Sequence, residues 1–129
     1  MSSFGIRKQL GCTYDEALEA VPEALKSEGF GVLTEIDVRA TFAKKLDLDH
    51  PPYRILGACN PTLAARALAA DPNIGLLLPC NVVVRSVEGG SEVSIIQPRA
   101  MFEVAQLPGL EPVVDEVAER LERVAAQLS

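Results

Sequence analysis

The feature that most restricts the fold is the stretch of residues 75–85. It runs Gly-Leu-Leu-Leu-Pro-Cys-Asn-Val-Val-Val-Arg, and an apolar run of this kind, rich in branched residues, indicates a strand in the centre of a sheet. Pro79 cannot donate a hydrogen bond to a neighbouring strand, so we expect one interruption there, as a bulge or a locally unpaired edge. The chain therefore needs a sheet and a layer that covers its centre.

Further strands surround this central one. Gly89-Gly90-Ser91 is typical of a tight turn, and it predicts a hairpin between residues 75–85 and a strand at 92–97. Apolar and polar residues alternate in part over residues 4–10 and 30–38, and residues 53–59 are nearly all apolar. These patterns predict three more strands.

Helix signals lie between the strands. Thr13 and Glu16 form a capping box that begins a helix ending near Gly29. Asn60 and Pro61 suit the N-cap and first position of a second helix, which runs to residue 71. Residues 111–128 predict a third helix, whose apolar stripe consists of Val114, Val117, Leu121, Val124 and Leu128.

These elements predict one α+β domain over residues 1–129. Residues 41–48 are too short to predict a helix firmly, and a turn or a short strand suits them as well. The predicted order is then roughly β-α-β-β-α-β-β-α, with the helices packed on one face of the sheet. A length of 129 residues, 48% hydrophobic and 23% charged, suits a single globular domain.

Charge and cysteine content restrict partners and location. A net charge of -6 argues against a nucleic-acid partner, because binding to that polyanion needs cationic groups. Three cysteines are too few for a disulfide framework, so we expect a cytoplasmic protein in a reducing compartment. No apolar stretch is long enough for a signal peptide or a membrane span, so we expect no membrane partner.

Two matched dipeptides, Cys59-Asn60 and Cys80-Asn81, are the strongest candidates for a site. Each ends or interrupts an apolar strand. Cys59 precedes a helix N-cap, where the positive end of the helix dipole lowers the pKa of a thiol, so it is the more reactive candidate. A right-handed crossover between parallel strands would bring Cys59 and Cys80 to the same height and into one pocket. Each cysteine also suits a simple core position.

The other candidates have equally plain alternatives. Asn60 serves as a cap or contributes to an anion site at the helix N-terminus. Asn81 lies inside a Val-rich strand, and a buried amide needs hydrogen-bond partners. Its side chain therefore either forms hydrogen bonds within the bulge at Pro79 or faces a ligand. Asp37 and Lys45 approach the site or lie on an ordinary solvated face.

A metal site is a weaker prediction. It would need His50, Cys59 and Cys80 to converge, and the sequence contains no close ligand pair such as C-x-x-C. The common nucleotide-binding, hydrolase and metalloprotease motifs are also absent from the sequence. We therefore assign no cofactor and lean away from an enzyme.

The central third of the chain resembles a known family. Arg-Ile-Leu-Gly-Ala-Cys-Asn-Pro at residues 54–61, Asp71-Pro72 and the run at residues 75–84 are similar to the signature of domain-of-unknown-function family 302. Gly29-Phe30, Glu35-Ile36-Asp37-Val38 and Lys44-Lys45 extend the resemblance over nearly the whole chain. It implies a small α+β fold of the TATA-binding-protein type, with helices on one face of a curved antiparallel sheet. It implies no known activity, and fold similarity alone does not transfer DNA binding.

Three functional hypotheses follow. The first, which we prefer because it accounts for Asn81, is a module that binds a small ligand, an anion or a metal ion. Its site residues are Cys59, Asn60, Cys80 and Asn81, with Asp37 or Lys45 nearby. The second is a thiol-dependent enzyme or redox sensor with Cys59 as nucleophile and Cys80 as resolving thiol. The third is a homodimeric interaction protein that associates through a sheet edge or the 114–128 stripe.

Overall fold

The computed structural model of the protein describes residues 4–105 and 108–129. The strands within those residues are β1 (Gly5–Leu10), β2 (Gly31–Asp37), β3 (Tyr53–Cys59), β4 (Cys80–Val87) and β5 (Gly90–Ile96). The α-helices are α1 (Tyr14–Ser27), α2 (Val38–Leu46), α3 (Pro61–Ala70), α4 (Pro98–Ala105) and α5 (Glu111–Gln127), and a 3-10 helix spans Pro72–Leu77. None of the described helices is long and apolar enough to cross a membrane.

The strands form one open sheet in the order β1-β5-β4-β3-β2, and every neighbouring pair is antiparallel. The expected α+β class, with a mainly antiparallel sheet, is therefore confirmed. The predicted hairpin joins β4 to β5. Gly89 and Gly90 have φ values of 87° and 153°, which residues with a side chain rarely adopt.

One face of the sheet packs against α1 and α5. Alternate residues on the three inner strands turn to this face, because side chains along a strand alternate between its two sides. Val82, Val84 and Val93 are fully buried there. Four of the five residues of the predicted stripe at 114–128 are buried: Val114, Leu121, Val124 and Leu128. The last three belong, with the buried residues of the sheet and of α1, to one cluster that we call the main core.

The opposite face of the sheet is more open, and we call it the open face. Antiparallel pairing aligns Gln9, Glu92, Arg85 and Tyr53 in one row across it. Asn81, two rows further on, is exposed.

Gly57 lies directly opposite Asn81 on β3. A Cβ atom there would lie 2.7 Å from Cγ of Pro79 and would also overlap Oγ1 of Thr34. Pro79 and Thr34 therefore close over this position, and only glycine fits beneath them.

The stretch before Pro79 differs from the prediction. Residues 75–77 belong to the 3-10 helix, and β4 begins only at Cys80, after the cis Leu78-Pro79 bond. Asp71 explains the change, because its carboxylate accepts a hydrogen bond from the Asn73 N–H at 2.9 Å and begins a helical turn at Pro72. Three successive leucines do not by themselves distinguish a strand from a short buried helix.

Two helices go beyond the predicted order. Residues 38–46 form α2, so the helix is the correct alternative among those open for residues 41–48. The Asp37 carboxylate caps this helix by accepting the Ala40 N–H at 2.9 Å, and Asp47 ends it with a φ of 51°. The second is α4, which begins at Pro98. The α-helices and strands therefore follow the order β-α-β-α-β-α-β-β-α-α.

Candidate functional site

An apolar cavity of about 40 Å³ lies between two hydrophobic clusters. The first is the main core. The second, which we call the satellite cluster, has four buried residues, contributed by α3, the 3-10 helix and the start of α5: Ala67, Ile74, Leu110 and Val114. Residues of both clusters line the cavity, so the cavity marks the seam between them.

Cys59 and Cys80 both line this cavity, together with Asn60. Cys80 begins β4 directly opposite Ala58, and Cys59 is the next residue along β3. The strands are antiparallel, so the parallel crossover that we considered is wrong. The two cysteines still meet, because the end of one antiparallel strand lies beside the beginning of its neighbour.

The cavity keeps its thiols away from water. Burial raises the pKa of Cys80 to about 11 from an ordinary value of 9.0, and the nearby Cys59 adds to the increase. Cys80 is therefore an uncharged thiol at neutral pH. Cys59 is half-buried, and no disulfide joins it to Cys80.

Asn60 has a structural role at the edge of the cavity. Its Oδ1 accepts the Leu63 N–H at 3.2 Å, which caps α3 as the sequence predicts. Its Nδ2 donates to the carbonyl oxygen of Glu28 at 3.5 Å. Arg120 donates to the same oxygen at 3.0 Å, so α3 is tied to the end of α1 and to α5. Both ends of the Asn60 amide therefore have partners within the protein.

Asn81 lies on the other side of the sheet. Side chains alternate along β4, so Cys80 turns to the covered face and Asn81 to the open face. The two matched Cys-Asn segments therefore place three of their four side-chain positions at the cavity and the fourth away from it.

Asp37 and Lys45 lie far along the sheet from the cysteines. Asp37 ends β2, where it caps α2 and accepts a hydrogen bond from Arg54 at 3.0 Å. The hydrogen bond from the Ala40 N–H, followed by the charge of Arg54, outweighs desolvation and holds the pKa of Asp37 below its usual value. Lys45 is exposed on α2. The structure does not bring these two residues to the cysteines.

His50 packs among aromatic rings. Its ring lies edge-on to Phe42, with centroids 5.2 Å apart, and to Tyr53, with centroids 5.8 Å apart. Tyr53 begins β3 and Cys59 ends it, so His50 and the cysteines lie at opposite ends of that strand. Among the residues of known placement, no three His, Cys, Asp or Glu side chains are grouped to hold a metal ion.

Sequence reasoning missed much of the cavity wall. Phe102 comes from α4, which was not predicted, and Leu110 and Val113 come from the region where α5 begins. In the sequence these residues are recognisable only as apolar residues outside the predicted elements or at their ends. Whether they contact β3 and β4 depends on tertiary packing.

Comparisons with known proteins agree with this architecture. The family model described as "Domain of unknown function DUF302" matches residues 6–128. A crystal structure of an uncharacterized conserved protein DUF302 from Bacillus stearothermophilus superposes with a TM-score of 0.91 at 29% sequence identity, covering 99% of this chain and 100% of that one. No curated protein matches the sequence. The chain therefore belongs to the DUF302 family, whose members share this α+β fold and for which these comparisons name no biochemical activity.

Proposed function

We propose that the protein is a binding module for a small, uncharged, apolar molecule, with its site at the seam between the main core and the satellite cluster. The observation that carries the proposal is the cavity shared by Cys59 and Cys80. Ligand pockets are mostly apolar concavities with a few polar groups that orient the ligand. Here the thiols are the weakly polar groups available for that purpose.

The chemistry of the walls favours an uncharged ligand over an anion or a metal ion. Asn60 already uses both ends of its amide, so it has little capacity left for an anion. Cys59 and Cys80 are the two side chains of the lining that commonly bind metal ions, and a metal site generally needs at least about three protein ligands. A charged ligand would also lose its hydration without gaining a partner charge.

The size of the cavity means that the seam must widen when an organic molecule binds. A volume of about 40 Å³ is well below the roughly 150 Å³ of an engineered cavity that accepts benzene. Among the described residues the satellite cluster has four buried members, whereas the main core has seventeen. The region with fewer buried contacts opens at lower cost, so we expect the satellite cluster to move.

A redox function with Cys80 as the resolving thiol is less favoured. Attack on an oxidised partner requires the thiolate, and burial keeps Cys80 protonated. The same property suits a residue that lines an apolar site.

Benzene titration followed by NMR tests the proposed site. We expect saturable shifts at residues that line the cavity. Ala64 lines the cavity from α3, whereas its neighbour Ala65 is exposed and does not. Ala64→Leu should fill the space and weaken benzene binding roughly tenfold or more, because an overfilled site resists a further group.

Ala65→Leu is the matched control, since it adds the same side chain one position away. It should bind benzene as the unaltered protein does. Shifts that never saturate, or equal binding by the Ala64→Leu and Ala65→Leu variants, would exclude the seam as the site.

We also propose that the protein forms a homodimer through the exposed edge of β2. The 114–128 stripe is not available for this, because its buried residues pack within the protein's own main core and satellite cluster. Leu33 and Ile36 of β2 are 68% and 50% exposed, and Leu46 and Leu48 beyond it are 66% and 47% exposed. Exposed apolar side chains on the unpaired edge strand of a sheet favour association through that edge.

Sedimentation at micromolar concentration tests this second proposal. The unaltered protein should sediment as a dimer, and Leu33→Lys should make it monomeric. Leu76 is 87% exposed on the 3-10 helix, so Leu76→Lys is a control for added charge at a distant apolar site. A monomer before any substitution, or equal dissociation by both variants, argues against the β2 edge.

The location that we propose is a reducing compartment such as the cytoplasm. Cys12, Cys59 and Cys80 are all free thiols. Thiols in this state persist where glutathione and thioredoxin systems act, and a secreted chain with an odd cysteine risks pairing with other molecules. Fractionation of the native cells, followed by thiol trapping, checks this expectation.

A further inference from the structure

A shallow trough of about 400 Å³ lies on the open face, and none of the residues that line it lines the cavity. Val83 and Ser94, which are paired across β4 and β5, form part of its lining. Arg7 of β1, Arg85 of β4 and Tyr53 of β3 also line it. The trough therefore crosses the sheet on the side away from α1 and α5.

The two arginines of the trough are held by one carboxylate. Glu92 is paired with Arg85 across β4 and β5, Arg7 lies in the neighbouring row opposite Ser94, and the Glu92 side chain is only 6% exposed. Its Oε1 accepts hydrogen bonds from Arg85 Nη2 at 2.9 Å and Nε at 3.3 Å, and Arg7 Nε lies 4.0 Å from the same oxygen. Gln9 donates to Oε2 at 3.3 Å.

This arrangement leaves one positive charge without a partner in the group. Two guanidinium groups and one carboxylate sum to +1, although the whole chain carries -6. Arg7 and Arg85 remain 46% and 41% exposed, so both can still reach a solute. Because hydrogen bonds to Glu92 already hold Arg85 in place, an incoming anion loses less free energy to the ordering of that side chain.

The neighbouring residues indicate what else the ligand contains. Asn81 adds an exposed amide to the trough, and Tyr53 and Val83 add aromatic and aliphatic surface. Guanidinium groups pair with the planar oxygens of carboxylates and with phosphates. An amphipathic anion would satisfy both kinds of surface.

We propose that the trough between Arg7 and Arg85 binds an organic oxyanion, a carboxylate or a phosphate monoester carried on an apolar or aromatic body. The negative charge of the ligand pairs with the positive charge of Arg7 and Arg85 that Glu92 does not neutralise. The apolar or aromatic part of the ligand lies over Val83 beside Tyr53. This site is on the opposite side of the sheet from the cavity, so either site can exist without the other.

NMR titration of the full chain with benzoate and with phenyl phosphate tests the inference. The Nε–H resonances of Arg7 and Arg85 and the side-chain amide of Asn81 should shift saturably with at least one anion. The anion that binds tighter decides between a carboxylate and a phosphate. Benzyl alcohol, which has the ring without the charge, should bind at least roughly tenfold more weakly. Added salt should lower the affinity of the trough for the anion, because it screens the charges of the arginines. If neither anion saturates, or if the alcohol binds as well, the inference is wrong.

Asn81→Asp supplies a variant that leaves the Arg-Glu-Arg group intact. A negative charge at another point of the same trough should weaken anion binding roughly tenfold, because like charges repel at a protein surface. Asn73→Asp makes the same change at an exposed position on the 3-10 helix, and it should leave binding unaltered. If the two variants lower the affinity for the anion equally, the effect comes from the net charge of the protein, and the trough is not the binding site.

Discussion

At the scale of single residues, the matched Cys-Asn segments divide between two faces of one sheet. Cys80 turns into the cavity, whereas Asn81 turns to the open face. Asn60 leaves the strand and caps α3. The two dipeptides are alike in sequence, but their residues have different surroundings because one follows a strand and the other begins one.

The chemical state of Cys80 gives a prediction at this scale. With a pKa of about 11 instead of 9.0, its thiolate fraction at pH 8 is about 100-fold smaller than that of an ordinary thiol. In a variant that carries Cys12→Ser and Cys59→Ser, iodoacetamide should label the folded protein at least about 100-fold more slowly than the urea-unfolded chain. Mass spectrometry follows the labelling.

A comparison with Cys59 controls that experiment. Cys59 is less buried than Cys80, so a variant carrying Cys12→Ser and Cys80→Ser should react faster in the folded state. Comparable rates for folded and unfolded Cys80 would show that water reaches its thiol and that the cavity is not a dry site.

At the scale of elements, local signals succeeded where both partners lie within one turn. The predicted capping box is present, with the Glu16 N–H donating to Thr13 Oγ1 at 3.1 Å and the Thr13 N–H donating to Glu16 Oε1 at 3.0 Å. The Asn60-Pro61 helix start is equally local and equally correct. The strand predicted at residues 75–77 was wrong because an apolar run suits both a strand and a short helix. The residue that begins the helical turn, Asp71, lies outside the run.

The cap of α3 gives a prediction at the element scale. Asn60→Ala removes the hydrogen bonds to the Leu63 N–H and the Glu28 carbonyl, so the free energy of unfolding should fall by about 1 kcal/mol. Urea unfolding measures the change. Asn81→Ala is the matched control on the open face, and it should alter stability by less than about 0.5 kcal/mol. A larger loss of stability in Asn81→Ala than in Asn60→Ala would contradict the capping role of Asn60 and the exposed position of Asn81.

At the scale of the whole molecule, the site depends on packing that sequence patterns do not encode. The cavity joins the ends of β3 and β4 to α3, α4 and the start of α5, which lie far apart along the chain. Sequence periodicity identifies which residues seek a core, but it does not say which helix meets which strand end. The convergence of Cys59 and Cys80 was expected for the wrong topological reason, since the strands are antiparallel.

The open face gives a prediction about pH. Burial alone would raise the pKa of Glu92, but hydrogen bonds from Arg85 and Gln9, with the charges of Arg85 and Arg7, lower it below the usual 4.5. A carboxyl with a lowered pKa in the folded state contributes stability above its unfolded pKa, and this contribution is lost as the pH falls through the folded pKa. Stability from Glu92 should therefore be complete near neutral pH and decline below about pH 4.5.

Glu92→Gln isolates this contribution. The variant should be less stable than the unaltered protein at pH 7, and the difference should narrow as the pH falls below 4.5. Urea unfolding at a series of pH values measures the difference. Glu88→Gln, at an exposed position in the β4–β5 turn, makes the same change outside the trough and should alter stability at pH 7 by less than about 0.5 kcal/mol. A constant gap for Glu92→Gln would mean that its ionisation is not linked to folding.

Crystals of the protein pressurised with xenon show whether the seam beside Cys59 and Cys80 is a dry apolar site. Xenon enters apolar cavities and avoids hydrated ones. We expect a xenon peak in contact with the residues around Cys59 and Cys80, and a smaller peak or none in Ala64→Leu crystals. Ordered water at that position, or xenon bound only elsewhere in the molecule, would contradict this expectation.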